Sequence, residues 1–346
     1  MQPMTQPTRF VSEDRLKAVI SHLLQAVDVP PEHARHAAYI LTMADLRGIS
    51  SHGVRLLPGN IKRILGGAIN PRPRISEAAR IGALAILDGD AGMGMIVGAL
   101  AMEHAIGIAR EHGVGWVMVR RSNHYGASGS FVMQAIEVGM AGISISNCGP
   151  MMTVEGTVSR TIGNNPMAIG APGPEFPVVL DMATSVASLG RIWMTRRKGE
   201  PIPDEWVLQP ADATRETVLR HFGGAKGSGL AIMLEVLTSV CSGAGVPRDM
   251  RLHSPRSQAD HTVHTQVAID VSRALPREQY ADAMTGLIAR LRAAERAPGV
   301  EEVRLPGERA WRETLKRRRE GIPLEEDIVK SLEEIAAEIG TAVPWE

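Results

Sequence analysis

Between residues 12 and 65 the apolar positions keep helical spacing. Leu16, Val19, Ile20, Leu23, Leu24 and Val27 share one face, and Ser12 stands where an N-cap belongs. Pro30-Pro31 opens a second helix that runs toward Leu46 and stops at Gly48. A third covers 57–65 and ends at Gly66-Gly67, after which Asn70-Pro71-Arg72-Pro73 reads as a loop and a domain boundary. From Ile81 the period shortens. Residues 83–87, 115–119, 142–146, 178–180 and 262–269 read as buried strands, with helices over 96–111, 130–138 and 229–241 among them. Helical spacing returns over 280–294, breaks at Pro298-Gly299, and closes with the stripe Ile328, Leu332, Ile335 and Ile339. The order helical, mixed, helical predicts an α/β protein. Residues 1–75 and 275–346 are expected to form one helical domain, with 76–274 as a central α/β domain inserted between them.

Composition narrows the function classes. The 346 residues carry 38 basic and 38 acidic side chains, so no net field draws the chain to nucleic acid or anionic lipid. Aromatic residues make up 3%, too few for base-stacking platforms. The two cysteines, Cys148 and Cys241, exclude a disulfide framework and a multi-cysteine zinc site, and no metal is expected. The first residues lack the apolar core of a secretory signal, and no apolar run approaches the roughly 20 residues of a membrane helix. A cytoplasmic enzyme or binding protein is the expectation.

Several short motifs carry candidate chemistry. Gly223-Gly224-Ala225-Lys226-Gly227-Ser228-Gly229 precedes a helix, and its N–H groups, the helix dipole and the Lys226 ammonium together favour a phosphate. Its spacing is not that of a P-loop. Gly92-Met93-Gly94 with Gly98 is a loose dinucleotide-type pattern, but Asp88 and Asp90 crowd it, and a plain strand-to-helix turn is favoured. Ser122-Asn123-His124-Tyr125-Gly126 follows a strand, so His124 is either an acid/base or a loop histidine. Ser51-His52-Gly53 leaves the same choice for His52, with Arg47 near in sequence. Asn147 either meets a substrate oxygen or starts the turn at Gly149-Pro150. Asp181-Met182-Ala183-Thr184-Ser185 ends a strand, where Asp181 either orients a histidine, binds ribose or caps a helix. No Gly-x-Ser-x-Gly elbow supports a hydrolase built on Ser51, His124 and Asp181.

In this order the motifs resemble the malate/L-lactate dehydrogenase family of NAD(P)-dependent oxidoreductases. The stretches are Ala44-Asp45-Leu46-Arg47-Gly48 with Ser51-His52-Gly53, Ser122-Asn123-His124-Tyr125-Gly126, Ile162-Gly163-Asn164-Asn165-Pro166, Asp181-Met182-Ala183-Thr184-Ser185, Gly223-Gly224-Ala225-Lys226-Gly227 and Leu305-Pro306-Gly307-Glu308. The resemblance implies a helical domain from both chain ends around a central mixed-sheet nucleotide-binding domain. That domain is sulfolactate dehydrogenase-like and not a Rossmann fold. It implies a homodimer, NAD or NADP as cofactor, and a small 2-hydroxy or 2-oxo carboxylate as substrate. His52 or His124 exchanges the proton, and Asp181 completes the catalytic set. Arg47, Ser51 and Asn147 are expected at the substrate. Val179, Leu180, Asp181, Met182, Ala183, Thr184, Ala225, Lys226, Pro306, Gly307 and Glu308 are expected at the dinucleotide. A cyclic 2-imino acid reductase and a member without turnover are the competing readings. Leu56 and Asn60 stand where the family usually has arginine and tyrosine, with Arg55 one residue away, and the segment 206–221 is short.

Overall fold

The computed structural model describes residues 9–197, 199–208, 217–245 and 258–345. Helix α1 (Glu13–Gln25) starts as its sequence predicts, with the Ser12 hydroxyl accepting the Arg15 N–H at 3.3 Å. Helix α2 (Pro31–Leu46) has proline in its first turn, and α3 (Leu57–Leu65) ends at Gly66. Two 3-10 turns, Ser50–His52 and Val54–Leu56, join α2 to α3 and carry His52.

The centre is one seven-stranded sheet. Its strands are β2 (Ser76–Ile81), β3 (Leu84–Asp88), β4 (Val114–Ser122), β5 (Ala141–Ser146), β6 (Met167–Ala171), β7 (Val178–Met182) and β8 (Thr262–Ile269). They lie in the order β2-β3-β4-β8-β5-β6-β7. Only β3 and β4 run parallel, so the sheet is mixed, as the family resemblance implied. A second, two-stranded sheet pairs β1 (Arg9–Val11) with β9 (Ile322–Leu324) and ties the chain ends together. Helices α4 (Gly94–His112) and α5 (Ser128–Glu137) cover one face of the large sheet. They share a continuous apolar core with α1, α2, α3 and the closing helix α10 (Glu326–Glu338). Helix α6 (Leu189–Arg197) packs Ile192 into a separate small cluster. On the opposite face α7 (Ala225–Glu235) packs Leu234 on Ile145 and Met167.

The differences from the sequence reading have physical causes. Strand β2 is exposed along its whole length, so it has no buried face to impose alternation. Strand β6 has only five residues, three of them Ala or Gly, and directly follows the Gly163-Asn164-Asn165-Pro166 stretch, which masks it. The helix expected over 229–241 begins at Ala225, ends at Glu235 and continues as a π-helical turn, Val236–Val240. The 280–294 helix is α8 (Arg277–Arg292), which buries only Ile288 and so lies on the surface, unlike a packed amphipathic helix. Helix α9 (Glu308–Glu320) follows the Pro306-Gly307 turn. Much of the short segment 206–221 lies outside the described residues. Among the described residues no helix is long and apolar enough to cross a membrane.

Candidate active site

The motif segments that follow β4, β5 and β7 gather at one end of the large sheet, and the His52 turn between α2 and α3 meets them there through His124. Strand β4 ends at Ser122, opposite Thr262 at the start of β8; β5 ends at Ser146, opposite His264; β6 starts and β7 ends at the same level. Antiparallel neighbours place the C-terminal end of one strand beside the N-terminal end of the next, and this topology gathers segments far apart in sequence.

His52 and His124 meet there. Their ring centroids lie 5.9 Å apart with planes tilted by 33°. Ser51 Oγ lies 2.8 Å from His52 Nδ1, so the hydroxyl fixes the ring and leaves Nε2 for other work. This makes Ser51 a positioning group for His52. Burial lowers the His52 pKa below the usual imidazole value, so the ring is neutral at pH 7. The loop is braced by Asp45, whose Oδ2 accepts the Val54 N–H at 2.7 Å. Burial pushes the Asp45 carboxyl up to about 7, opposed by that N–H and by Arg317 and Arg55. Gly53 permits the approach: a Cβ there would lie 2.1 Å from Asp45 Oδ1.

Arg47 and Asp181 both approach Gly129 at the first turn of α5, near enough to influence each other's charge, though no ion pair within 4 Å joins them among the described residues. The Gly129 N–H donates to Asp181 Oδ2 at 3.1 Å. Burial raises the Asp181 pKa, against the pull of Arg47 and the Gly129 N–H. Burial likewise opposes the Arg47 charge, which Asp181 and Tyr39 support. Arg47 is only 3% exposed. The resemblance places Arg47 at the substrate; in the structure its side chain is enclosed, with Nε lacking a hydrogen-bond partner among the described residues.

Asn147 also moves inward. It is 1% exposed, its amide N–H groups point to Ser239 Oγ at 2.8 Å and Glu235 Oε1 at 3.4 Å, and its oxygen accepts the Val263 N–H at 2.9 Å. These bonds fasten β5 to β8 and α7 and offer no free edge to a substrate oxygen. Arg55, one residue from the family's arginine position, forks onto Asp327 and Glu325 at 2.7 Å each, away from the histidines.

The segments expected at the dinucleotide are contiguous. Thr184 donates through both N–H and Oγ1 to Asn164 O, and its own carbonyl accepts the Phe222 N–H at 3.0 Å. The exit of β7, with Asp181, Met182, Ala183 and Thr184, is thereby bonded to the glycine-rich loop. In that loop Gly223 and Gly224 take φ of +63° and +58°, and a Cβ on Gly227 would lie 1.7 Å from Phe222 O. The loop exposes Ala225 and Lys226 at the start of α7. On the other side Pro306 O accepts the Val179 N–H at 3.0 Å, and Gly307 packs on the Val179 backbone. Glu308 is buried, and although desolvation resists it, the Leu305 N–H, Arg312 and Arg292 hold its carboxyl below the usual range. A positive loop at a helix N-terminus, next to an exposed apolar strand residue (Leu180), suits a phosphate-bearing dinucleotide. Gly92 and Gly94 serve packing instead: their Cβ positions fall on Pro73 and on Asn123 O.

Sequence reasoning missed His264, Arg63 and Asp260. His264 stacks on Tyr125 at 4.5 Å, with Nε2 2.8 Å from Ser122 Oγ. Arg63 pairs with Asp260 and donates to Asn123 Oδ1 at 3.2 Å.

A model of the malate/L-lactate dehydrogenase family matches residues 11–333. The chain belongs to that family. It is 35% identical over 345 residues to the malate dehydrogenase of Pyrococcus abyssi, covering 95% of each chain. It is 31% identical to the ureidoglycolate dehydrogenase (NAD(+)) of Escherichia coli K12, covering 93% of this chain and 94% of that one. The solved sulfolactate dehydrogenase of Methanocaldococcus jannaschii superposes with a TM-score of 0.88 at 32% identity, over 97% of this chain and 98% of the other. As a member of the malate/L-lactate dehydrogenase family the protein is an oxidoreductase that works with a nicotinamide cofactor.

Proposed function

We propose that the protein interconverts a small 2-hydroxy carboxylate, of the malate, lactate or sulfolactate kind, and its 2-oxo partner, with His52 as acid/base. The observation that carries this is the His52–His124 pair at the sheet end that also presents the glycine-rich loop. A nicotinamide held by this loop would supply the hydride acceptor or donor for the substrate carbon. In oxidation neutral His52 accepts the hydroxyl proton; in reduction its imidazolium returns one to the developing alkoxide. His124 and Asp181 complete the polar wall, and Lys226 with the loop N–H groups would hold the phosphates. A second copy of the chain belongs to this reading. Ile169 and Leu180, paired across β6 and β7, stay 42% and 41% exposed on the face that α7 only partly covers. Light scattering should then give twice the chain mass.

The test is absorbance at the nicotinamide band with NAD(+) and NADP(+) across a panel of 2-hydroxy acids, with cyclic 2-imino acids and NADPH as the competing arm. At least one hydroxy acid should turn over, and His52→Ala should lose that turnover. A protein that binds neither reduced dinucleotide in a fluorescence titration overturns the reading.

A further inference from the structure

We infer that Arg63 is the carboxylate anchor of this site, and that Asp260 holds its place while no substrate is bound. The inference rests on the hydroxy-acid reading above and names the residue that would make the site select an acid. A 2-oxo carboxylate beside His52 and His124 needs a cation, and the structure removes most candidates. Arg47 is enclosed with Asp181. Arg55 is held by Asp327 and Glu325. Arg120 and Arg121 are held by Asp88, with Asp90 on Arg121. Lys226 stands on the phosphate loop.

Arg63 lies in the last turn of α3, the helix that follows the His52 loop. Its Nη1 meets Asp260 Oδ2, and its Nη2 donates to Asn123 Oδ1 and to Gln258 O at 3.1 Å. Asp260 Oδ2 also accepts the His124 backbone N–H at 3.3 Å. A carboxylate therefore already sits between a guanidinium and an N–H of the candidate acid/base residue. Arg63 Nε is enclosed, with no hydrogen-bond partner among the described residues, and Nη2 already donates twice, so Nη1 is the edge that an incoming carboxylate would take from Asp260. A small carboxylate in the place of the Asp260 carboxyl would meet the same two donors, Arg63 Nη1 and the His124 N–H, in a charge-assisted contact. The side chains of Arg63 and Asp260 are 17% and 12% exposed, shielded enough to strengthen the pair yet open to exchange. Exchange of one carboxylate for another leaves the charge at Arg63 unchanged, so it avoids the cost of an unpaired buried cation.

The test compares wild type with Arg63→Gln, Arg63→Lys and Asp260→Asn. The readouts are dinucleotide dissociation constants, KM and kcat for the best 2-oxo acid and for its amide, and oxalate binding by calorimetry. Arg63→Gln should raise the acid's KM about 10- to 100-fold with the dinucleotide constant unchanged, and should erase the preference for acid over amide. Arg63→Lys should lie between. Asp260→Asn should lower the acid's KM and tighten oxalate, because the internal competitor is gone. The inference is overturned if Arg63→Gln keeps the wild-type KM, or if it loses dinucleotide binding as well. If Arg63→Gln does not fold, Asp260→Asn decides, and an unchanged or raised KM and oxalate constant refute the inference. Oxalate binding needs no turnover, so a wild type that turns over no oxo acid but binds oxalate through Arg63 refutes the reaction and keeps the anchor. A wild type that does not bind oxalate refutes the anchor.

Discussion

Gly129 holds Asp181 at contact distance. Its N–H donates to Asp181 Oδ2 at 3.1 Å, and a Cβ built on Gly129 would lie 2.4 Å from that same oxygen and 3.3 Å from Arg47 Nη2. A methyl group has nowhere to go without moving the carboxylate or the start of α5. Gly129→Ala should therefore cost about 1–3 kcal/mol of stability and lower kcat/KM. Gly107→Ala, in the middle of α4 with nothing within 4 Å of the new methyl, is the control and should be neutral or slightly stabilising. Thermal unfolding and steady-state rates on the two variants decide the matter; a Gly129→Ala protein indistinguishable from wild type would show that Asp181 is not so confined.

The burial of His52 fixes the shape of the pH profile. Its pKa lies below the ordinary 6.5, so it is deprotonated at neutral pH. For alcohol oxidation the neutral ring is the active form. kcat/KM should rise as pH climbs through a pKa below 6.5 and stay flat above it. For reduction the imidazolium is the active form, and kcat/KM should fall across the same interval. His52→Ala should remove that ionisation and lower kcat about 10²- to 10⁴-fold. If His124→Ala removes it and His52→Ala leaves it, the acid/base role belongs to His124.

How much of this was readable beforehand depends on where each contact is made. His52, His124 and Asp181 lie in compact motifs, and the helix before His52 and the strands leading to His124 and Asp181 show their burial in a few consecutive residues. Arg63 and Asp260 meet only through the fold, from α3 and from the approach to β8, and neither stands in a motif. His264 reads as one more position in an apolar strand, and only its stacking on Tyr125 and its two serine partners distinguish it. Arg47 and Asn147 fit their motifs, but a linear sequence cannot say which face of a helix or strand end is turned inward. The structure turns both inward.

The glycine-rich loop should separate cofactor binding from chemistry. Lys226→Ala removes an exposed ammonium at the α7 N-terminus and should raise the dinucleotide dissociation constant about tenfold, an effect that shrinks at high salt. Gly227→Ala should be more damaging. Its methyl would lie 1.7 Å from Phe222 O, in the residue that ties the loop to Thr184. Fluorescence titration of reduced dinucleotide into both variants checks this. Wild-type affinity in Lys226→Ala would remove the loop from the phosphate site.

His264 should set part of the acid limit of the fold. Its ring is fully enclosed, stacked within 3° of parallel on Tyr125, with Nε2 2.8 Å from Ser122 Oγ and Nδ1 3.2 Å from Ser146 Oγ. Burial pushes its pKa down to about 3, with His124 adding to the same direction. The unfolded chain holds this proton from the ordinary 6.5 downward, whereas the folded protein refuses it until about 3. Between those values the unfolded state binds the extra proton, so the stability His264 contributes is complete above pH 6.5 and drains away as pH falls. Denaturant unfolding at steps of pH should show a slope approaching one additional proton in this interval. His264→Gln removes the titration and retains hydrogen-bonding capacity toward Ser122. It should be less stable than wild type at pH 8, by about 1–3 kcal/mol, and should lose less on acidification, so the two curves converge. Curves that stay parallel down to pH 4 would show that the acid sensitivity lies in other groups.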